Sequence, residues 1–87
     1  MATVGNQVTI ERLRELVATV LEVNFEQIAA DALFYEDLEV DSLHKTEILA
    51  GVEREFRVRI DPADWAAVRT TTDIATLLHD KGVATDE

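Results

Sequence analysis

Residues 41–56 read DSLHKTEILAGVEREF, and their apolar side chains have the spacing of a helix. Ile48, Val52 and Phe56 recur at intervals of four, which places them on one side of the helix and predicts that this side faces a core. Asp41 is suited to cap the helix, because its carboxylate can accept hydrogen bonds from free amides of the first turn. The helix is therefore predicted to begin at Asp41 or at the serine that follows it, and to end near Phe56.

The segment before this helix divides into another helix and a long connection. Between residues 9 and 22 the apolar residues fall three or four apart, which predicts an amphipathic helix with Thr9 as its N-cap. Residues 23–40 carry many apolar side chains without a steady period and contain neither Gly nor Pro. A connection of this length is uncommon in a compact domain, and we expect an ordered loop with a helical turn near residues 25–29. Its expected anchors in the core are Phe34 and Leu38.

The C-terminal third of the chain predicts two more helices. Residues 56–60 alternate like a strand but have no second strand to pair with, so we expect an extended link rather than a sheet. Asp61-Pro62 then opens a short helix that runs to about Val68, because Pro is favoured at the first helical position. Residues 70–73, Thr-Thr-Thr-Asp, form a variant capping box for the last helix, which ends at Lys81-Gly82.

The fold class that follows is all-α, a small bundle of three main helices plus one short helix with a long loop between the first two. A chain of 87 residues has room for one modest core. Residues 1–87 are therefore expected to form a single domain, ordered over about residues 9–81 with frayed ends, and Trp65 is expected to anchor the core or its rim. Such a domain leaves little room for an enclosed cleft, which disfavours an enzyme.

The composition limits which classes of partner are expected. The formal net charge of -10 comes from 18 acidic and 8 basic residues. Nucleic acids and anionic membranes repel such a chain, so we expect neither as a partner. A protein with a basic patch is favoured because opposite fields speed encounter, although acidity also serves solubility. The chain has no cysteine, no signal-peptide pattern at its start and no apolar run long enough to span a bilayer, which favours a cytoplasmic protein.

The most informative residues lead into the central helix: Asp37-Leu38-Glu39-Val40-Asp41-Ser42-Leu43. They place one serine at a helix N-terminus in the most acidic part of the chain. With Asp41 as the cap, the Ser42 hydroxyl is free to face water, and a phosphodiester attached there would gain from the partial positive charge of the helix end. Ser42 could instead be no more than an N-cap, and these residues alone leave both interpretations open.

Asp41-Ser42-Leu43 resembles the Asp-Ser-Leu phosphopantetheine attachment motif of acyl carrier proteins. The resemblance continues in Phe34-Tyr35-Glu36-Asp37-Leu38, in Val52-Glu53-Arg54-Glu55-Phe56 and in Thr70-x-x-Asp73-Ile74, and it covers about residues 9–80. Asp-Ser-Leu alone is weak evidence, but the ordered series at matching spacing is strong.

The resemblance implies a non-catalytic carrier whose Ser42 bears a covalent 4'-phosphopantetheine arm, with Asp41 and Leu43 beside the attachment point. A phosphopantetheinyl transferase would supply the arm from coenzyme A. The arm would hold acyl chains as thioesters for a ketosynthase and other acyl-processing enzymes that carry basic docking patches. These partners would dock on the second helix, at Leu43, Thr46, Glu47, Ala50, Glu53 and Arg54. The free chain is expected to be a monomer.

Several departures from the family pattern bear on the pathway. Glu39 stands where many members carry glycine, so that turn has to form without a residue that takes positive φ freely. His44 and Lys45 replace acidic or neutral residues and Arg54 replaces an acidic one, which makes the docking face less acidic than that of fatty-acid carriers. Gly51 costs up to ~1 kcal/mol in mid-helix and is expected to leave room for a bound chain. We expect a discrete carrier of polyketide or fatty-acid synthesis, with polyketides favoured.

The same residues are compatible with two other functions and resemble two further kinds of site. A peptidyl carrier of nonribosomal synthesis shares the chemistry and differs in cargo, and an unmodified acidic interaction module would use the second helix only for docking. Asp37, Glu39 and Asp41 have the 1-3-5 spacing of a calcium loop, but Ser42 stands where that loop needs glycine. His44 is two residues from Ser42 and no third group is evident. We therefore predict no metal site and no catalytic triad.

Overall fold

The computed structural model describes residues 10–83, and the regular elements within that range are all helical. They are α1 (Ile10–Leu21), a single 3-10 turn (Phe25–Gln27), α2 (Ser42–Phe56), α3 (Pro62–Ala66) and α4 (Thr71–Asp80). The predicted fold class, three main helices plus one short helix, is confirmed. The predicted N-cap Thr9 and the tail from residue 84 onwards lie outside the described residues.

The core is built from matching pairs of apolar residues on the three main helices. Each pair lies four residues apart on one helical face, and all six side chains are fully buried. The pairs are Leu13 and Val17 of α1, Ile48 and Val52 of α2, and Ile74 and Leu78 of α4. Burial of each such side chain contributes roughly 1.5–3 kcal/mol to folding. The inward stripe predicted for α2 is confirmed and includes Phe56.

The long connection between α1 and α2 is held by Phe34. Its side chain is 1% exposed, its amide donates to the carbonyl of Arg69 at 2.9 Å, and its carbonyl accepts from the amide of Val40 at 2.8 Å. Leu38 packs against the core while staying partly exposed, so both predicted anchors are confirmed. The predicted helical turn is shorter than expected and covers only Phe25–Gln27.

The turn that leads from this loop into α2 contains a residue in the left-handed region. Glu39 has φ 57°, the conformation that glycine adopts without steric cost. Glu39 therefore takes positive φ in a turn that, as the sequence showed, has no glycine at this position. Its Cβ crowds the following carbonyl oxygen, at a cost of roughly 1–2 kcal/mol. The hydrogen bonds of Leu38 to Leu33 and of Val40 to Phe34 flank Glu39 and hold it in this conformation.

Glu39→Gly is expected to raise the free energy of unfolding by up to about 1 kcal/mol. The substitution removes the left-handed strain, while the greater freedom of glycine in the unfolded chain cancels roughly 0.5–1 kcal/mol of that gain. Urea denaturation of the two proteins measures the difference. Glu36→Gly is the matched control, because Glu36 is an exposed glutamate of the same loop whose φ is not positive, and it should lose stability. A Glu39→Gly protein no more stable than wild type would contradict the prediction.

The link from α2 to α3 is fixed by a side chain of α2. Arg57 ends the helix with φ 57°, and the carboxylate of Glu53 then accepts the amide of Ile60 at 2.8 Å. Ile60 is buried, as the extended-link interpretation requires. α3 begins at Pro62 as predicted but ends at Ala66, two residues short of the predicted Val68. Val68 still faces the core and is buried.

The capping box of α4 is confirmed. The Thr70 hydroxyl accepts the amide of Asp73 at 3.1 Å, and the Asp73 carboxylate accepts the amide of Thr70 at 3.2 Å. The helix ends as predicted at Lys81 and Gly82, where the glycine takes φ 86°. Val83 is more ordered than a frayed tail would be. It packs against the core, and its amide donates to the carbonyl of Leu78 at 3.0 Å.

Candidate functional site

Ser42 is the first residue of α2, and its side chain is exposed. Asp41 occupies the cap position with extended backbone, and its Oδ1 accepts the amide of His44 at 2.8 Å. The interpretation of Ser42 as a simple N-cap is therefore wrong, because its neighbour fills that role. The Ser42 hydroxyl makes no hydrogen bond to any of residues 10–83. It is free to react with an incoming group.

The surroundings of this hydroxyl suit a phosphodiester. The first-turn amides of α2 are not all satisfied within the helix, and the helix dipole adds partial positive charge at the same end. Leu43, 65% exposed, offers an apolar contact beside the serine. An attached group would thus find favourable electrostatics and open space. These residues fit the phosphopantetheine that the sequence resemblance implies.

Two of the carboxylates near Ser42 bind backbone amides. Besides the cap at Asp41, the carboxylate of Asp37 accepts the amide of Leu33 at 2.9 Å and closes the loop turn. Their 1-3-5 spacing with Glu39 builds no cation site, since no group of His, Asp or Glu within residues 10–83 is arranged to hold a metal ion. His44 also stays at the cap, with Nδ1 3.2 Å from Asp41 Oδ1. His44 thus stays beside Asp41 and makes no hydrogen bond to the Ser42 hydroxyl, which a catalytic triad would need.

Lys45 lies on the inward side of α2 at the site, which we did not predict from the sequence. We expected it on the outer, docking face, but its side chain is 7% exposed. Its Nζ lies 5.5 Å from the ring centroids of both Tyr35 and Trp65. Burial lowers the pKa of Lys45 because the charged form loses solvation. The missed signal is its position: Lys45 is three residues before Ile48 and therefore belongs to the inward stripe.

Comparison with known proteins agrees with this geometry. Residues 11–78 match the family model described as the phosphopantetheine attachment site. The chain is 41% identical over 71 residues to the "Polyketide-8 synthase acyl carrier protein 2" of Streptomyces avermitilis, which covers 82% of each chain. This chain belongs to the acyl carrier protein family.

Further relatives support the same assignment. The chain is 33% identical over 75 residues to "Acyl carrier protein 3" of Ralstonia nicotianae, covering 86% of each chain. It is 32% identical over 75 residues to the "Acyl carrier protein" of Thermosynechococcus vestitus, covering 86% of this chain and 93% of the relative. Acyl carrier proteins carry intermediates and do not catalyse, and their cofactor is 4'-phosphopantetheine. None of the helices in residues 10–83 has the length and hydropathy that a membrane crossing needs.

The outer face of α2 in this acyl carrier protein is mostly open to solvent. Of the predicted docking residues, Glu53 is the exception, since it is half-buried and bonded to the link before α3. The exposed members are Leu43, Thr46, Glu47, Ala50 and Arg54. They fall at helical spacing on one face that begins beside Ser42.

Two open depressions flank this face of the carrier. One, of about 320 Å³, lies between α1 and α2 and includes Gly51. A Cβ at Gly51 would lie 3.1 Å from Leu16 Cδ2, so the glycine lets α1 approach α2 closely. The expectation that Gly51 leaves room for a bound chain stays a prediction. The other depression, of about 550 Å³, lies at the end of α2 and is lined by Arg54, Arg57 and Arg59 among others.

Proposed function

We propose that Ser42 carries the 4'-phosphopantetheine arm of this acyl carrier protein and that the protein presents acyl intermediates to enzymes of polyketide biosynthesis. The observation that carries the attachment is the exposed Ser42 hydroxyl, free of hydrogen bonds within residues 10–83, at a helix start that Asp41 caps. We further propose that the protein acts as a monomer in the cytoplasm, where a reducing environment keeps the thiol of the arm free.

Loading would use the Ser42 hydroxyl as a nucleophile. Ser42 Oγ forms a bond to the phosphorus that bears pantetheine in coenzyme A, and the bond from that phosphorus to the bridging oxygen breaks. Adenosine 3',5'-bisphosphate leaves, and the hydroxyl proton passes to a base of the phosphopantetheinyl transferase. The arm supplies a terminal thiol that holds acyl groups as thioesters, which a chain without cysteine lacks.

Docking would use the outer face of α2. Leu43 is the apolar contact beside the attachment point. Glu47 and the exposed carboxylates of the loop before α2 offer negative charge to a basic patch on the transferase or ketosynthase. The opposite end of α2 carries the exposed arginines 54, 57 and 59. A helix of 15 residues separates these ends by about 22 Å. The complementary partner surface is therefore basic near the arm and acidic farther along.

This division of charge supports the polyketide assignment over a fatty-acid one. By the family resemblance, fatty-acid carriers have an acidic residue on the docking side at the position where this chain has Arg54. The similarity to an acyl carrier protein named for a polyketide synthase, at 41% identity, points the same way.

The attachment is tested by incubating the purified chain with coenzyme A and a broad-specificity phosphopantetheinyl transferase. Intact-mass measurement should show the gain of one phosphopantetheinyl group. An unchanged mass would leave only the unmodified interaction module. The pathway is tested on protein isolated from its native host, by mass analysis of the group on Ser42. A chain that keeps more than one β-keto group supports polyketide synthesis, whereas a fully saturated straight chain or an aminoacyl group contradicts it.

A further inference from the structure

Lys45 holds a positive charge that no acceptor within residues 10–83 satisfies. Its stem is buried, and Nζ lies 5.5 Å from the ring centroid of both Tyr35 and Trp65. No carboxylate or carbonyl of the described residues accepts from it. The stem lies along the rings while Nζ itself still meets solvent, so the ammonium is open to an anionic group from outside the bundle.

Trp65 provides a second unsatisfied donor at the same place. The residue is 7% exposed, and its indole Nε1 is buried without a hydrogen-bond partner. A buried donor that lacks an acceptor costs about 1–3 kcal/mol, and such groups in native proteins call for an explanation. Two unpaired donors on adjoining side chains indicate that an oxygen-rich group binds between them.

The position of Lys45 relative to Ser42 shows which group can reach it. The two residues are three apart on α2, so their Cβ atoms are about 5–6 Å from each other. Long side chains on a helix point back toward its N-terminus, and the stem of Lys45 therefore extends over the turn that begins at Ser42. Whatever is attached to Ser42 Oγ therefore starts within one helical turn of the Lys45 stem.

We propose that Tyr35, Lys45 and Trp65 form a binding site for the near part of the phosphopantetheine arm on Ser42. The Lys45 ammonium faces the anionic phosphodiester, the Trp65 indole N–H donates to a carbonyl oxygen of the arm, and the exposed ring of Tyr35 covers its apolar carbons. This site rests on the attachment proposed above. It would hold the arm against the bundle between transfers instead of leaving it loose in solvent.

The test uses Trp65, the single tryptophan of the sequence, whose indole N–H resonance reports on this site alone. The chain is compared before and after loading with coenzyme A and a broad-specificity transferase, and intact mass establishes that loading is complete. Loading should shift the indole Nε1–H resonance downfield in a ¹⁵N-correlated NMR spectrum. This shift reports a newly bonded indole, whose N–H has no acceptor before loading.

Variants separate the role of the charge from simple packing. Lys45→Met keeps the buried stem, should fold and load, and should lose most of this shift, whereas Lys45→Arg should retain it. Arg69→Met is the matched control, because it removes an exposed cation outside the docking face and should behave as wild type.

The outcomes are distinguishable from failure of the attachment itself. A mass that does not change contradicts the assignment of Ser42. A fully loaded wild-type chain whose indole signal is unchanged overturns the proposed site, and so does a change that appears only after an acyl group is added to the thiol. Equal changes in wild type and Lys45→Met would overturn the role of the ammonium.

Discussion

Ser42→Ala will fold like the wild-type chain and remain at its unmodified mass when coenzyme A and a broad-specificity transferase are supplied. Loading is lost completely because Ser42 is the single serine of the sequence and provides the attacking oxygen. Folding is spared because the hydroxyl is exposed and Asp41 holds the cap. Surface changes away from such features are usually within about 0.5 kcal/mol, and urea denaturation measures that difference alongside the intact mass.

Thr76→Ala is the control for this experiment. Thr76 also carries an exposed helical hydroxyl, but it lies on α4 and takes no part in the site, so its variant should load to completion. Loading of Ser42→Ala would mean that a threonine accepts the arm and would contradict the attachment. An unfolded Ser42→Ala would contradict the assignment of the cap to Asp41, because in that assignment the serine hydroxyl does not stabilise the helix.

The helices were predictable because their signals are local. Ile48, Val52 and Phe56 define a face within fifteen residues of α2, and the cap at Asp41 lies immediately beside it. The capping box at residues 70–73 is likewise complete within four consecutive residues. No distant contact is needed to read either pattern, so helix identity and most helix ends followed from the sequence.

The parts that were not predictable depend on contacts between distant segments. Burial of Lys45 requires rings from the loop and from α3 to meet over α2, and a lysine in isolation is read as a surface residue. Positive φ at Glu39 arises because Val40 must return to the carbonyl of Phe34. The role of Gly51 depends on Leu16, a residue of another helix.

In the candidate site, too, some features were predictable from neighbouring residues and others depended on distant contacts. The exposed serine at the helix start followed from the capping argument and from the family resemblance, both of which use neighbouring residues. Glu53 was placed on the docking face by helical spacing, but its carboxylate is occupied by the amide of Ile60, which lies beyond the end of the helix. Spacing along one helix predicts which way a side chain points and cannot predict which distant donor it meets.

Phe34→Ala is expected to lower the free energy of unfolding by about 3–5 kcal/mol, the usual loss when a buried phenylalanine is truncated. A chain of 87 residues has a total stability of roughly 4–13 kcal/mol, at 0.05–0.15 kcal/mol per residue, so this one change removes a large part of it. The loss combines burial, a cavity under the loop, and weaker hydrogen bonds to Arg69 and Val40. Urea denaturation followed by far-UV circular dichroism measures it.

Tyr35→Ala is the matched control, because it truncates the next residue, which is also aromatic but is 51% exposed. Its loss of stability should stay near or below about 1 kcal/mol, since most of its ring is already in water. The contrast isolates burial from aromatic character and from position in the loop. Equal losses at the two positions, or a Phe34→Ala chain as stable as wild type, would mean that the loop is not held through Phe34. The acidic approach to Ser42 would then lack the anchor that places it against the bundle.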